Sequence, residues 1–512
     1  MRIFSTRFLD YGILRGVACG RVFWMIFAAA MGSYADEPAF LQHMLNLQRF
    51  QALCQTGGAV PPVRVLIYGQ SITGQAWSTK LVDAVRARHP GRSWVVTNLC
   101  ISGNSTQTLI HTAETDVYPF NPDLIIFHDY GDTNLYQQLV EDFRARTTSD
   151  ILLMNDHYVL WDSLSTPGIG DWDGAILPAL ALANGACMAD IRTPWKNYLI
   201  SNNLPYTALV ADGLHPNAMG QSLLLQFMSV YANGPALAPV PDPYNCPRAR
   251  RMLIPPAAIA SGEWRVVFEG NRVAAQVRLG SARILVDGAP PSAALTGGIH
   301  GRSSAWPGSP IWPCLLKVGN ATPIIPEQWT LRVESLNSAK SFQFSVHGSV
   351  TGPDGSGSTD SPFRSLSGRV LILPEDWWWA QFSGKLTNGM QFTWTSRLRG
   401  SDTLSGGKGV SWVDLVSNLS QGTHELLIQQ QPGVPAITEI VVYNPAGRSV
   451  GEPGTIYQLA GTNGFALLAS GNLQTSSNLK DWQPATALDS TQSNTNYNSF
   501  STYPCQFYRL QP

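Results

Sequence analysis

Charge is scarce in this chain. Asp, Glu, Lys and Arg make up 13% of 512 residues, about half the share of an ordinary soluble protein. That excludes a coiled coil and an intrinsically disordered chain, which both need far more charge. A basic excess is also missing: the formal net charge is −1, which leaves no electrostatic footprint for nucleic acid. None of the seven cysteines forms a Cys-x-x-Cys pair, so zinc-ribbon and thioredoxin-type sites have no support. Walker and dinucleotide-binding fingerprints are absent, and Gly69-Gln70-Ser71-Ile72-Thr73-Gly74 is not the Gly-x-Ser-x-Gly elbow. Present instead are 46 Gly, 35 Pro and 16 Trp in a chain that is 44% hydrophobic. This composition points to a β-rich, turn-rich exported protein of two or three domains.

The N-terminus fits export. Arg2, Arg7, Arg15 and Arg21 precede the apolar run 22–31, followed by Ser33, Tyr34 and Ala35. Small residues at 33 and 35 match a signal-peptidase site, and the run is short for a spanning helix. Residues 1–35 are read as a cleaved signal peptide. They carry four Arg and one Asp, so their removal takes the formal charge from −1 to −4. No later stretch is expected to span a bilayer, and the mature chain is expected outside the cytoplasm: periplasmic, extracellular or at the cell surface. Cys19 leaves with the signal. The widely spaced Cys54, Cys100, Cys187, Cys246, Cys314 and Cys505 fit disulfides and isolated buried thiols equally well, and no pairing is assigned.

Residues 36–233 read as an α/β domain. Strand candidates at 63–68, 94–98, 123–128, 150–155 and 187–191 alternate with helical patterns such as 76–88 and 107–118, the parallel βαβ repeat. The runs Val65-Leu66-Ile67 and Leu124-Ile125-Ile126-Phe127 are continuously apolar, as strands buried on both faces must be. A short strand at 207–210 and a closing helix at 218–230 complete it. A Pro-rich link covers 234–256. Beyond it the period changes to two, as in Trp264 to Phe268, Ala282 to Val286 and Gln343 to Val346, with turn clusters at 351–357 and 388–389. One antiparallel, jelly-roll-like β-sandwich over 257–446 is expected, then a small β-rich module over 447–512.

In an open parallel sheet ligands bind beyond the carboxyl ends of the strands. Two segments there carry chemistry. Gly69-Gln70-Ser71-Ile72-Thr73 puts Ser71 on a Gly-led turn, where its hydroxyl and N–H can both face the cleft. Taken alone it is an ordinary helix cap. Asp212-Gly213-Leu214-His215-Pro216-Asn217 spaces a carboxylate and an imidazole so that Asp212 can hold one ring nitrogen while the other faces a hydroxyl. Taken alone it is an ordinary loop. Both together, at opposite ends of one α/β domain, are much rarer by chance.

With these blocks, residues 61–232 resemble the SGNH, or GDSL-type, hydrolases, whose α/β domain has a flavodoxin-like parallel sheet. The nucleophile block is similar at 69–73, and the final block, with Asp212 and His215 completing the triad, at 212–217. The segment from Asn98 to Ser105 is similar to the second block, which implies that Gly103 lends its N–H to an oxyanion hole beside the N–H of Ser71. Two positions depart from the pattern. Gln70 stands where the family has Asp, beside the nucleophile and not in its place. In Gly131-Asp132-Thr133-Asn134, Thr133 takes the register of the oxyanion asparagine, leaving Asn134, Asn104 or a backbone N–H as the substitute. The resemblance implies a serine esterase without cofactor, acting on a small-molecule or polysaccharide ester, acetyl groups on carbohydrate first. The alternatives are a lipid or lysophospholipid esterase and a non-catalytic carbohydrate-binding protein with a degenerate site.

His128, Asp129, Asp156 and His157 also follow strands, but their spacing matches no metal motif. No metal site is assigned, and His128 and His157 are candidates for the substrate pocket. Trp377, Trp378, Trp379 and Trp394 suggest a sugar platform, against which stands the alternation of a strand, which buries at least one of the three consecutive rings. Residues 351–357 lack the repeated oxygen ligands of a calcium loop and read as a tight turn.

Overall fold

The structure, a computed structural model, describes residues 43–159, 172–234, 242–309, 311–379, 383–407 and 409–445, together with six strands of the C-terminal segment. The signal-peptide reading of 1–35, part of the Pro-rich link, Trp482 and Cys505 lie outside the described residues. Among the described residues no helix is long and apolar enough to cross a membrane.

The α/β domain opens with helix α1 (Gln48–Gln55), followed by β1 (Val63–Gly69), α2 (Ala76–Arg88), β2 (Trp94–Asn98), α3 (Thr106–Asp116), β3 (Leu124–His128), α4 (Thr133–Arg146) and β4 (Asp150–Met154). After these come α5 (Leu177–Ala183), β5 (Cys187–Ala189), α6 (Arg192–Ser201) and α7 (Ala218–Ala232). The strands are parallel in the order β2-β1-β3-β4-β5, the flavodoxin-like arrangement. The apolar runs divide by alternation. Val63, Val65 and Ile67 pack with Leu81, Leu223 and Leu224 on one face, while Leu66 and Tyr68 pack with Leu109, Leu139 and Phe143 on the other. Residues 207–210 are not a strand. Tyr206–Leu209 is a 3₁₀ turn, and only Val210 pairs, in a single bridge to Pro216 that closes the loop between them.

Part of the expected link is already sheet: Asn245–Cys246 and Ala249–Leu253 are strands. They join a five-stranded sheet with Ile437–Tyr443, Arg272–Val277 and Ser411–Ser417. A four-stranded sheet of Glu263–Glu269, Thr423–Gln430, Gly280–Val286 and Thr403–Gly406 shares its core through Val273, Ile284, Leu426 and Ile440. Between Gly280–Val286 and Thr403–Gly406 the chain builds another five-stranded sheet: Gly298–His300, Gln391–Leu398, Glu327–Ser338, Ser341–Gly348 and Gly352–Ser358. It has its own core of Trp306, Trp329, Phe342, Phe344 and Trp394. The 257–446 segment therefore divides between two cores. Residues 351–357 fall mostly within Gly352–Ser358, a strand paired with Ser341–Gly348, rather than in a tight turn. The C-terminal strands form two three-stranded sheets.

The β region grips the α/β domain at several points. Arg248 donates to Ser149 O (2.6 Å) and Thr148 O (3.0 Å) and pairs with the buried Asp150 carboxylate. That carboxylate also accepts from Phe50 N at 2.7 Å. Gln276 and Trp412 both donate to Ala59 O, and Arg302 holds Leu99 O and Asp116. Cys54, Cys100, Cys187, Cys246 and Cys314 are free thiols.

Candidate active site

The first turn after β1 is built around Gly69. Its φ is +136°, and a Cβ there would lie 2.1 Å from His128 O on the paired strand β3. Only glycine fits. Gln70 is buried, and its Oε1 accepts from Ile72 N at 3.0 Å. That bond orients the carboxamide, because an N–H needs an oxygen. Ser71 then opens the helical turn Ser71–Gly74, so its own N–H has no intrahelical acceptor.

The 212–217 loop presents the partners. Asp212 Oδ1 accepts from His215 N (2.7 Å) and Leu214 N (3.1 Å), and Oδ2 lies 2.7 Å from His215 Nδ1. The His215 N–H, then the imidazole and the Leu214 N–H, hold the Asp212 carboxyl well below the usual carboxylate range. Ala211 N donates to His215 O at 2.8 Å, and Asn217 caps α7 by accepting from Met219 N and Gly220 N. His215 Nε2 stands 2.8 Å from Ser71 Oγ. The side chains singled out in two blocks 144 residues apart thus form one hydrogen-bonded line, Ser71 to His215 to Asp212.

Protons can be assigned along that line. A carboxylate only accepts, so His215 Nδ1 carries hydrogen, and in the neutral ring Nε2 is the acceptor facing Ser71. Ser71 Oγ also lies 2.7 Å from Gln70 Oε1. The single hydroxyl proton points to His215 in the reactive arrangement and to Gln70 when the ring is charged.

The other candidates divide by exposure. Gly103 is exposed with φ +75°, and Ser71 is half-buried. Asn104 is buried, and neither atom of its carboxamide has a partner or meets solvent. Asn134 is exposed on the first turn of α4, where Asp132 caps the helix by accepting from Asn134 N and Leu135 N. Of the two asparagines, only Asn134 is exposed.

His128 and His157, the candidates for the substrate pocket, are both 2% exposed. Each ring is engaged in internal bonds. Gln70 Nε2 donates to His128 Nδ1 (3.1 Å), leaving His128 Nε2–H for Asp156 (2.7 Å). Burial favours the neutral Asp156 acid, but the hydrogen bond from His128, together with the nearby Arg192 guanidinium, holds the carboxyl below its ordinary value. His157 Nε2 donates to Leu214 O at 2.7 Å, while its buried Nδ1 has no partner. Burial therefore lowers its pKa from 6.5 to about 4. Among the described residues no group of three or more His, Cys, Asp or Glu is arranged to hold a metal ion. Trp377 and Trp394 are core residues, whereas Trp378 and Trp379 are half-buried.

One neighbour was not legible in the sequence. Trp312, from the inserted β unit, donates through Nε1 to Ser102 O at 2.6 Å and packs against Gly103. Its ring lies 4.7 Å from that of Trp378.

No family model and no curated protein matches the chain. Among solved structures, the acetylxylan esterase Axe2 from Geobacillus stearothermophilus is similar at 19% identity, covering 34% of this chain and 96% of its own, with a TM-score of 0.30. A GDSL-like lipase from Parabacteroides merdae is similar at 17% identity, covering 35% of this chain and 98% of its own, with a TM-score of 0.27. At this level the likeness adds nothing to what the strand order already shows.

Proposed function

We propose that the chain is a serine esterase of SGNH type. The observation that carries this is the continuous hydrogen-bonded line from Ser71 Oγ through His215 to Asp212, at the carboxyl end of a parallel sheet. Ser71 attacks the ester carbonyl as His215 Nε2 takes its proton, and Asp212 holds the tautomer and stabilises the imidazolium. The N–H groups of Ser71 and Gly103 receive the oxyanion, with the exposed Asn134 as the third donor. The carbonyl re-forms, and His215 returns its proton to the leaving alcohol. Water then repeats the cycle on the acyl-enzyme.

The preferred substrate is a short acyl ester on carbohydrate, acetyl first. Supporting this are the motif resemblance and the half-exposed Trp312 beside Gly103, with the half-exposed Trp378 packed on its ring, an apolar face of the kind that packs on a sugar ring. Export directed by residues 1–35 belongs to the same reading. The test is hydrolysis of p-nitrophenyl esters of increasing chain length, together with acetate release from acetylated xylan. Activity confined to short chains, with acetate released, supports the reading. A preference for long chains replaces it with a lipid esterase.

A further inference from the structure

The loop that carries Gly103 is a tight turn with little of its own to fix it. Asn104 N donates to Ile101 O at 3.2 Å, and Gly103 sits at the third position with φ +75°. This is the conformation of a type II turn, which needs φ above zero there. A type I turn spans the same ends with the middle peptide, Ser102–Gly103, rotated by about 180°. Glycine tolerates both. In a trans peptide C=O and N–H point in opposite directions, so the state of the turn decides which way the Gly103 N–H faces.

What selects the state comes from another part of the chain. The Trp312 indole N–H, 210 residues away, donates to Ser102 O, the carbonyl of that middle peptide. An ideal Cβ on Gly103 would lie 2.9 Å from the Trp312 ring, so the ring packs directly on the turn. Trp312 is itself held: its N donates to Ser309 Oγ at 3.0 Å, and its O accepts from Trp306 N at 2.9 Å. Its ring neighbour Trp378 is fixed through Trp378 N to Cys314 O (3.0 Å) and Trp306 Nε1 to Trp378 O (2.6 Å). Arg302 of the same β unit holds a second carbonyl of this loop, Leu99 O, at 3.1 Å.

We propose that the inserted β unit sets the oxyanion hole, with Trp312 as the positioning residue: its indole bond to Ser102 O holds the Ser102–Gly103 peptide in the state that turns the Gly103 N–H away from the ring. The bond also polarises the peptide, which strengthens the N–H as a donor. This rests on the esterase reading above, in which Gly103 N–H receives the oxyanion.

The test is Trp312→Phe in the full chain, which keeps an aromatic ring on Gly103 and removes the donor. The expected result is a fall in kcat on p-nitrophenyl acetate of at least tenfold, toward the roughly 10²–10³ of losing an oxyanion donor. KM should stay within about twofold and Tm should hold, because the ring packing remains. A crystal structure should show the 102–103 peptide rotated. Trp412→Phe removes a comparable indole bond from the β region to the α/β domain, at Ala59 O ahead of β1, and should keep kcat, so a loss common to both variants, or one that follows Tm, overturns the proposal. An unchanged kcat in Trp312→Phe, or a change in KM alone, also overturns it. If the unaltered protein shows no Ser71-dependent turnover, the esterase reading itself has failed, and this role falls with it.

Discussion

His157 ties the catalytic loop to the sheet, and the same ring makes that tie sensitive to acid. Its Nε2–H donates to Leu214 O, one residue before His215, and its Nδ1 is buried without a partner. Replacing it in His157→Leu leaves the Leu214 carbonyl without its donor, at a cost of about 1–3 kcal/mol at neutral pH. The pH dependence runs the other way. With a folded pKa lowered from 6.5 to about 4, the unfolded chain binds a proton between those values that the folded chain does not. The wild-type protein therefore loses stability as pH falls through that window, by about 1.4 kcal/mol per pH unit and about 3 kcal/mol in all. His157→Leu lacks this term. His43 and His300, which burial also lowers to about 4, are present in both proteins and cancel in the difference. Urea unfolding of both proteins at intervals from pH 7 to pH 4 should show the variant less stable at pH 7 and the gap closing or reversing toward pH 4. A gap that stays constant across the series would refute the assignment of a neutral, Nε2-protonated His157.

Two substitutions separate stability from chemistry. Arg248→Met leaves the Asp150 carboxylate buried and without its cation; unfolding should show a loss of about 3–5 kcal/mol, with kcat of the folded fraction unchanged. Asp212→Asn keeps an oxygen for His215 N and Leu214 N but turns an NH₂ toward His215 Nδ1. The ring must then carry its proton on Nε2, facing Ser71, and steady-state kinetics should show kcat lower by about 10⁴.

The parallel sheet was legible because strands buried on both faces leave unbroken apolar runs, and β2 and α2 match their expected bounds. The Ser71, Asp212 and His215 contacts were legible because each block is local: a Gly-led turn in one, a three-residue spacing in the other. The division of 257–446 between two cores was not, since a period of two marks a strand without saying which sheet it joins. Gly352–Ser358 reads as a turn from its glycines and proline, and pairing with Ser341–Gly348 overrides that composition. His128 and His157 follow strands, but their bonds to Gln70 and to Leu214 O join segments 58 and 57 residues apart and appear only once the chain is folded. Trp312 carries no local signal, because its role depends on a carbonyl 210 residues away.

The most direct measurement is covalent labelling of the full chain with a fluorophosphonate, the modified residue located by peptide mass spectrometry. An activated Ser71 should take the label stoichiometrically, lose it in Ser71→Ala and take it far more slowly in His215→Ala, in parallel with p-nitrophenyl acetate hydrolysis. Hydrolysis that persists in Ser71→Ala, or a Ser71 that stays unlabelled, would contradict the account.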